Sequence, residues 1–343
     1  MVGCGWAGTR HARAFARLGA EVRWAVDAEL SRAEALQREL KTCLTATDFH
    51  QALGDPDVDV VAICLPHHLH ATVAIEAAQA WKHILCEKPL ATSLDEADRM
   101  IAAADQTGAI FMVAENVRFD PLFRKLRDLV QGGVIGRPAL IQVTRETYLT
   151  RSFLEERRWF LDQQAAGGGI MMAGGIHDFE ALRMLAGEIE SVQALRARQR
   201  FVEMQGDDTS VAMVRFAGGA VGTLVESVVM KSLATAAESE VHTLRIDGDA
   251  GSLSVRDGAT IRFFTESLAP LPDGILVQHD LYVPAADTFS LEVAHFLDCI
   301  RTGEEPITSG RSQRRPLELV LAAYQSMQTG QAVHVLPPDS AAG

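Results

Sequence analysis

Three glycines near the start of the chain are spaced to bind a pyrophosphate. Gly3, Gly5 and Gly8 form the pattern GxGxxG, and Trp6 and Ala7 fill its last gap. The first glycine of this pattern allows a tight turn, the second lets the backbone approach a pyrophosphate, and the third lets a helix pack closely on its strand. The helix that begins here would offer unpaired N–H groups to the phosphates. The residues therefore predict dinucleotide binding, and a plain glycine turn without a ligand is the alternative.

A carboxylate stands where such a site binds ribose. Asp27 ends the next predicted strand, about 20 residues beyond the glycines, as in dinucleotide-binding units. Its side chain can accept both hydroxyl groups of the adenosine ribose and would repel a 2′-phosphate, so the sequence favours NAD over NADP. NADP is the alternative cofactor, because the basic Arg32 lies nearby.

A lysine that could carry chemistry follows a predicted strand further along the chain. Glu87, Lys88 and Pro89 come directly after the apolar stretch 83–86. Open α/β sheets bind their ligands at the carboxyl ends of the parallel strands. We therefore expect Lys88 in the ligand-binding cleft, whereas a solvated surface lysine is the alternative.

The elements that position these residues alternate between strand and helix over the first third of the chain. Strands are predicted at 22–27, 58–65, 83–86 and 109–114, and helices at 8–18, 31–40, 71–80 and 94–104. The run VDVVAICL is typical of a strand buried on both faces of a parallel sheet. Ser93, with Glu96 three residues later, forms a capping box for the last helix. This alternation predicts an α/β fold with an N-terminal Rossmann dinucleotide-binding domain over residues 1–119.

A different pattern follows Phe119. Helices are predicted at 121–130 and 176–185, and a polar, Arg-rich stretch lies between them. Residues 192–283 contain short strands joined by glycine-rich turns, which is typical of an antiparallel sheet, and helices return at 291–300 and 317–329. We therefore predict a C-terminal α+β domain with a mostly antiparallel open sheet over residues 120–336, and a disordered tail over 337–343.

The segment before the glycine loop is short. Only Met1 and Val2 precede Gly3, although strands usually run for about five to six residues and this strand is central in a Rossmann sheet. We therefore expect either a shortened first strand or a start that is trimmed or misassigned.

Composition excludes several classes of protein. The 343 residues carry 32 Lys and Arg against 45 Asp and Glu, which makes the net charge −13. Such an acidic chain is a poor partner for nucleic acid or for an anionic membrane, since both need clustered basic residues. The five cysteines are scattered and lack a CxxC pair. We expect them to be reduced, in a cytoplasmic protein without a metal site.

Several segments together resemble the glucose–fructose oxidoreductase / inositol dehydrogenase / MocA (Gfo/Idh/MocA) family. The matching segments are the GxGxxG loop, Glu87-Lys88-Pro89, the loop Pro66-His67-His68-Leu69-His70, the group Asn116, Arg118 and Phe119, the stretch from Gly167 to His177, and Glu304-Glu305-Pro306 with Gly310. Each segment alone is weak, but the combination is specific and covers the chain from Gly3 to about Val335.

The resemblance implies an NAD(P)-dependent oxidoreductase that transfers a hydride between the nicotinamide and a carbinol carbon of a sugar, sugar derivative or cyclic polyol. It implies Lys88 as the general acid/base, because burial and the positive nicotinamide ring lower the pKa of a lysine amine. It also implies that His177 takes part in catalysis and that the Lys88–Pro89 bond is cis. The family's open sheet often mediates oligomers, so we expect a homodimer or homotetramer formed through the C-terminal sheet.

Further binding residues follow from the same resemblance. Beyond the glycine loop and Asp27, the expected cofactor-binding residues are Leu65, Pro66, His67, His70, Glu87, Lys88 and Asn116. The expected substrate-binding residues are Lys88, Arg118, Trp159 and His177. Trp159 is included because a tryptophan face stacks on sugar rings, and closing a domain interface is its alternative role.

Two positions depart from the family pattern. Ala173 stands where the family usually has Asp, four residues before His177, and Glu180 stands where another Asp often follows. Positions 173 and 177 share a face at helical spacing, so one usual polar contact to substrate is absent. Two other functions therefore stay open: a non-catalytic dinucleotide-binding sensor, and an NAD-dependent glycosidase that oxidises its substrate transiently.

Overall fold

The chain forms two compact units. The computed structural model describes residues 1–41, 43–201, 203–231, 240–256, 258–266 and 277–335. The first unit comprises Met1–Phe119 and Asp287–Leu317, and the second comprises Asp120–Ala286 and Glu318–Gly343. The tail that the sequence predicts to be disordered, 337–343, lies outside the described residues.

The helices and strands are numbered in chain order. Their bounds are α1 (Trp6–Arg17), β1 (Trp24–Val26), α2 (Leu30–Leu40), β2 (Leu44–Ala46), α3 (His50–Leu53), β3 (Val60–Ile63), α4 (His70–Gln79), β4 (His83–Glu87), α5 (Leu94–Thr107), β5 (Phe111–Ala114), α6 (Pro121–Gln131), β6 (Pro138–Thr147), α7 (Arg151–Glu156), α8 (Gln163–Ala166), α9 (Ile170–Ala173), α10 (Gly175–Ala186), β7 (Ile189–Arg196), β8 (Thr209–Phe216), β9 (Val221–Ser227), β10 (Glu240–Gly248), β11 (Gly251–Val255), β12 (Thr260–Thr265), β13 (Val277–Tyr282), α11 (Thr288–Thr302), α12 (Gly310–Thr329) and β14 (Val333–His334). Short 3-10 helices cover His67–Leu69, Asn116–Phe119 and Arg158–Leu161.

A parallel sheet forms the centre of the first unit. β3, β4 and β5 pair in that order, and β1 pairs with β2. Val2 joins the two parts, because it forms parallel bridges to Val26 of β1 and Ile63 of β3. The Val2 N–H donates to the Ala62 carbonyl over 2.8 Å, and the Cys64 N–H donates to the Val2 carbonyl over 2.7 Å. The strand order therefore reverses at Val2, directly before the glycine loop, and the predicted parallel Rossmann sheet is confirmed.

The predicted capping box at the start of α5 is present. The Ser93 Oγ accepts the Glu96 N–H over 3.3 Å. The Glu96 carboxylate in turn accepts the N–H of Thr92, one residue earlier than the standard box, over 3.1 Å. The Ser93 contact satisfies one of the N–H groups that the first turn of a helix leaves without partners.

One segment belongs to a different unit from the one predicted. The sequence places residues 120–336 in a single domain, whereas Asp287–Leu317 packs with the first unit. Here α11 contributes Phe289, Val293 and Phe296 to the core that also holds Phe15 of α1. The apolar periodicity of this helix shows that one face is buried, but it does not show which core receives that face.

The second unit is built on a sheet of nine strands, counted over the described residues. Their order is β13-β12-β11-β10-β6-β9-β8-β7-β14. Neighbouring strands run antiparallel except β6 and β9, which are parallel. The mostly antiparallel open sheet is thus confirmed, but the sequence did not predict β6 near its middle. β6 ends in polar residues because its Arg145 binds a buried carboxylate of α10, Asp178, instead of packing among apolar side chains.

The structure shows whether the cysteines are free and whether any described helix could cross a membrane. All five cysteines are free thiols, and all except Cys64 are buried. Across the described ranges, no helix combines the length and the apolar character needed to cross a bilayer.

Candidate active site

The three glycines of the loop are required for two different reasons. Gly3 has φ +92°, and a Cβ there would lie 2.1 Å from the Cys64 carbonyl oxygen. A Cβ on Gly8 would lie 1.9 Å from the Gly3 oxygen. A Cβ on Gly5, in contrast, would meet no protein atom within 4 Å. The protein's own packing therefore demands the outer two glycines, while the open space at Gly5 is what an approaching pyrophosphate needs, so this loop fits the predicted cofactor.

Asp27 lies against the same loop. Its Oδ2 accepts the Cys4 N–H over 2.8 Å, and its Oδ1 accepts the Glu29 N–H over 2.9 Å. These bonds hold the partly exposed carboxylate at the end of β1, beside the glycine turn. The guanidinium of Arg32 is paired with Glu29, at 3.0 Å. This pairing competes with the role of Arg32 as a partner for a 2′-phosphate.

Trp6 and Ala7 begin α1. Trp6 is 57% exposed, and the Arg10 guanidinium lies 4.1 Å from the centre of its ring. The indole ring and the ring of Phe289 meet edge-on, with 5.8 Å between ring centroids. The side chain of Trp6 therefore lies at the surface of the first unit, at the N-terminus of α1.

The loop after β3 divides into a partly exposed and a buried part. Leu65 and Pro66 are partly exposed, whereas His67 is 6% and His70 is 0% exposed. The two ring nitrogens of His70 lie 2.9 Å from the carbonyl oxygens of Leu65 and Pro89. Burial lowers the pKa of His70. His70 thus ties this loop to the segment that follows Lys88, so its expected part in cofactor binding would be to hold the loop.

Lys88 directly follows β4 and is partly exposed. The Lys88–Pro89 bond is cis, as the resemblance implied. Glu87 pairs in register with Ala114 of β5, and the 3-10 helix Asn116–Phe119 begins two residues later. Asn116 and Arg118, both partly exposed, therefore lie at the same edge of the sheet as Lys88. That is the edge at which parallel sheets bind ligands.

In the second unit, the glycine run before His177 is packed against two residues that the sequence motifs do not predict, Tyr324 and Asp207. A Cβ on Gly168 would lie 2.2 Å from the Tyr324 Oη, and one on Gly169 would lie 2.0 Å from the Asp207 carbonyl oxygen. The Tyr324 Oη accepts the N–H of Gly169 over 2.8 Å and the N–H of Met172 over 3.1 Å, and its O–H donates to Asp207 over 2.7 Å. Tyr324 is distant in sequence from the glycines that it contacts. In the sequence, only the spacing of those glycines indicated that another part of the chain packs closely against them.

Replacing Tyr324 by Phe is expected to destabilise the second unit by about 1–3 kcal/mol, because two buried N–H groups and one Asp207 oxygen lose their partner. Urea unfolding followed by circular dichroism measures this change. Tyr282→Phe is the matched control, since Tyr282 is 67% exposed. Equal unfolding free energies for the two variants would show that the phenol does not hold the glycine run.

The segment 171–180 exposes two positions. Ala173, at the end of α9, and His177, in the first turn of α10, are partly exposed, and the other eight residues are buried. The two positions lie on separate helices, so the expectation that they share a face stays a prediction. Glu180 is 3% exposed and bound to Arg183 over 2.8 Å, so this departure from the family pattern serves an internal ion pair.

A buried charged cluster follows His177. Asp178 is fully buried and accepts two bonds from Arg145, at 2.9 and 3.0 Å, and one from His242 at 3.1 Å. Burial acts to raise the pKa of Asp178, but the charge of Arg145 and His242 outweighs it and holds the pKa well below its usual range. Burial raises the pKa of Glu226 well above its usual range, and the negative Asp178 adds to this. The pair therefore holds one ionised and one protonated carboxyl group.

Trp159 lies in the 3-10 helix Arg158–Leu161 of the second unit and is partly exposed. Its ring meets that of Phe160 edge-on, with 5.9 Å between centroids. Its predicted contact with substrate stays a prediction. In the described part of the chain, no group of three or more His, Cys, Asp or Glu side chains is arranged to hold a metal ion.

Comparison with known proteins places this geometry in a family. A model described as an oxidoreductase family with an NAD-binding Rossmann fold matches residues 1–115, and the GFO/IDH/MocA C-terminal domain matches residues 123–254. Myo-inositol 2-dehydrogenase from Thermotoga maritima is 27% identical over 338 residues, covering 97% of each chain. An oxidoreductase of Rhizobium meliloti is 30% identical over 291 residues, covering 83% of this chain and 82% of that one.

The same fold is found in a solved structure. A levoglucosan dehydrogenase solved in complex with NADH and levoglucosan superposes with a TM-score of 0.86 at 23% identity, covering 98% of each chain. The glycine loop, the Asp27 carboxylate and the Glu87-Lys88-Pro89 segment thus lie in the fold that the family models describe. The chain belongs to the Gfo/Idh/MocA family of NAD(P)-dependent oxidoreductases.

Proposed function

We propose that the protein transfers a hydride between NAD and a carbinol carbon of a sugar, sugar derivative or cyclic polyol. The observation that carries this proposal is the glycine loop, which is open only at Gly5 among its three glycines and is bordered by the Asp27 carboxylate. The names of the relatives support the substrate class, since myo-inositol and levoglucosan are both compact polyhydroxylated rings.

The proposed roles follow from the chemistry of each group. NAD, when bound, supplies the carbon that accepts the hydride. The N–H groups at the start of α1 bind its pyrophosphate, and Asp27 accepts the ribose hydroxyls. The Lys88 amine takes the proton from the reacting hydroxyl in oxidation and returns it in reduction. We assign His177 to binding that hydroxyl or relaying its proton, and Asn116, Arg118 and Trp159 to contacts with cofactor or substrate.

A panel of sugars and cyclic polyols mixed with the protein and NAD tests this function, with the absorbance of reduced nicotinamide as the readout. Net reduction of NAD with at least one compound is the expected result. Release of a sugar product without net reduction would support the glycosidase instead. Binding of NAD without either reaction would support the non-catalytic sensor.

Cofactor choice gives a second test. We expect NAD to bind at least about tenfold more tightly than NADP, because the Asp27 carboxylate accepts hydroxyl groups and repels a 2′-phosphate. Asp27→Asn keeps the size of the side chain and removes its charge. It should therefore reduce the ratio of the affinity for NAD to that for NADP by about 10- to 100-fold, the range for a charged hydrogen bond. Titration of protein fluorescence with each cofactor measures both affinities. Equal affinities in the unmodified protein would refute the preference.

The outer face of the C-terminal sheet supports the predicted homo-oligomer. β8 alternates strictly, and its exposed positions include Val211 at 40% and Met213 at 50%. Leu195 of β7, 66% exposed, lies directly opposite Val211, and Val221 of β9 is 41% exposed. An exposed apolar face of this kind is typical of an interface. We infer that a second copy covers it.

Met213→Glu tests this interface, since a buried charge without a partner disfavours association. Light scattering coupled to size exclusion should show a dimer or tetramer for the unmodified protein and a smaller species for the variant. Leu30→Glu, at a 43% exposed position of the first unit, is the control and should keep the native mass. A monomeric unmodified protein would refute the interface. The cytoplasmic location and the lack of nucleic-acid or membrane partners stay predictions.

A further inference from the structure

A buried histidine links the glycine loop to the segment that carries Lys88. His11 lies on α1, three residues after Gly8, and is 0% exposed. Its Nε2 lies 2.9 Å from the Glu87 Oε1. The other oxygen of Glu87 accepts the backbone N–H of Lys88 over 3.1 Å. One carboxylate therefore holds both the helix that begins at the glycine loop and the backbone of the proposed acid/base.

The opposite side of the His11 ring faces a second buried carboxyl group. The His11 Nδ1 lies 3.7 Å from the Oε1 of Glu292 on α11, whose side chain is 1% exposed. Within the described ranges, neither oxygen of Glu292 has a hydrogen-bond partner. Burial raises the pKa of Glu292 well above its usual range, and the charges of Glu87, Glu115 and Asp287 raise it further. Burial and these negative charges therefore favour the protonated, uncharged form of Glu292.

The contact with Glu87 decides where the His11 ring carries a proton. An ionised Glu87 only accepts hydrogen bonds, so the ring must donate to it from Nε2. The Nδ1 side of the ring faces Glu292, and the rings of His11 and Phe289 meet edge-on with 4.9 Å between centroids. Two ionised carboxylates around this ring would be disfavoured, because burial makes unpaired charge costly.

We propose that His11 is the positioning residue of the reaction: the N–H at its Nε2 holds Glu87, and through Glu87 the backbone of Lys88, against the helix that begins at the glycine loop. The inference rests on the proposed function, in which Lys88 is the acid/base. A displacement of about 1 Å in a reacting group can lower the rate about 10²-fold. Loss of this N–H should therefore reduce kcat and leave the affinity for NAD nearly unchanged.

Two substitutions at His11 separate the hydrogen bond from the packing. His11→Leu removes the donor and keeps an apolar side chain of similar size, and it should lower kcat about 10- to 100-fold with KM and the Kd for NAD within about threefold. His11→Gln places an amide N–H near the position of Nε2 and should recover kcat to within about fivefold. Normal kcat in His11→Leu would overturn the proposal. Equal losses in both variants would also overturn it, because shape alone would then explain them.

Histidine-selective ¹⁵N NMR of the protein without substrate tests the ring directly. The His11 signal, identified by its loss in His11→Gln, should report a proton on Nε2. A ring that carries no proton on Nε2 would overturn the proposal. The Lys88→Ala variant separates the two proposals. If it turns over normally, the assigned role of Lys88 is wrong; if it is inactive while His11→Leu is not, only the role of His11 is wrong.

Discussion

Lys88→Ala is expected to lower turnover by about 10²–10⁴-fold, the usual contribution of a positioned general acid/base. The amine is assigned to the reacting hydroxyl and not to the phosphates, so the Kd for NAD should stay within about threefold of its original value. Initial rates with the best compound of the polyol panel, together with fluorescence titration of NAD, measure the two quantities on the same preparation.

Two further variants show whether proton transfer is the cause. Lys88→Arg keeps the positive charge, but a guanidinium does not release its proton at any working pH, so this variant should be nearly as impaired as Lys88→Ala. Lys125→Ala, at an exposed position on α6, should behave like the unmodified protein. Retained turnover in Lys88→Arg would indicate a purely electrostatic role, and retained turnover in Lys88→Ala would remove the residue from the mechanism.

Gly5→Ala is expected to weaken NAD binding by about 10- to 100-fold while the free energy of unfolding is unchanged. Its Cβ would meet no protein atom, and Gly5 has φ −75° and ψ −160°, which an alanine adopts without strain. The methyl group would instead occupy the space that the pyrophosphate needs. Losing one hydrogen bond to a charged phosphate costs about 1.5–3 kcal/mol, which corresponds to this range of affinity.

The neighbouring glycines supply the contrast. Gly8→Ala forces its Cβ to 1.9 Å from the Gly3 oxygen and should destabilise the fold as well as binding, by at least about 1–3 kcal/mol. Gly54→Ala should change neither quantity, since Gly54, directly after α3, has helical backbone angles and its Cβ would be 3.4 Å from the nearest atom. Urea unfolding and NAD titration of the three variants distinguish these outcomes. Unchanged NAD affinity in Gly5→Ala would show that the phosphates bind elsewhere.

The local sequence pattern was sufficient to predict much of the first unit. The β-branched run at 58–65 and the capping box at Ser93 depend on neighbours close in sequence, and the structure contains both β3 and the cap of α5. The GxGxxG loop and Lys88 were found in the same way, because a strand followed directly by a turn places its next residues at the ligand-binding edge. The sequence also predicted the class of the second unit from its closely spaced strands.

Other features depend on residues that are distant in sequence. The strand β6 was missed because its polar end includes Arg145, which binds the buried Asp178 of α10. The sequence of β6 therefore does not alternate between apolar and polar residues. The return of 287–317 to the first unit was missed because an amphipathic helix does not specify the core on which it packs. His11 was missed because its spacing in α1 does not reveal whether a polar side chain is buried.

The sequence alone therefore determined the family, the two fold classes, the cofactor loop and the candidate acid/base, because each rests on a short motif or a local period. Only the tertiary structure decided the partners of buried polar groups: Glu87 for His11, and Asp207 for Tyr324. The physical reason is that a buried polar group must be satisfied by whatever the fold brings within about 3 Å, and that partner can lie anywhere in the chain.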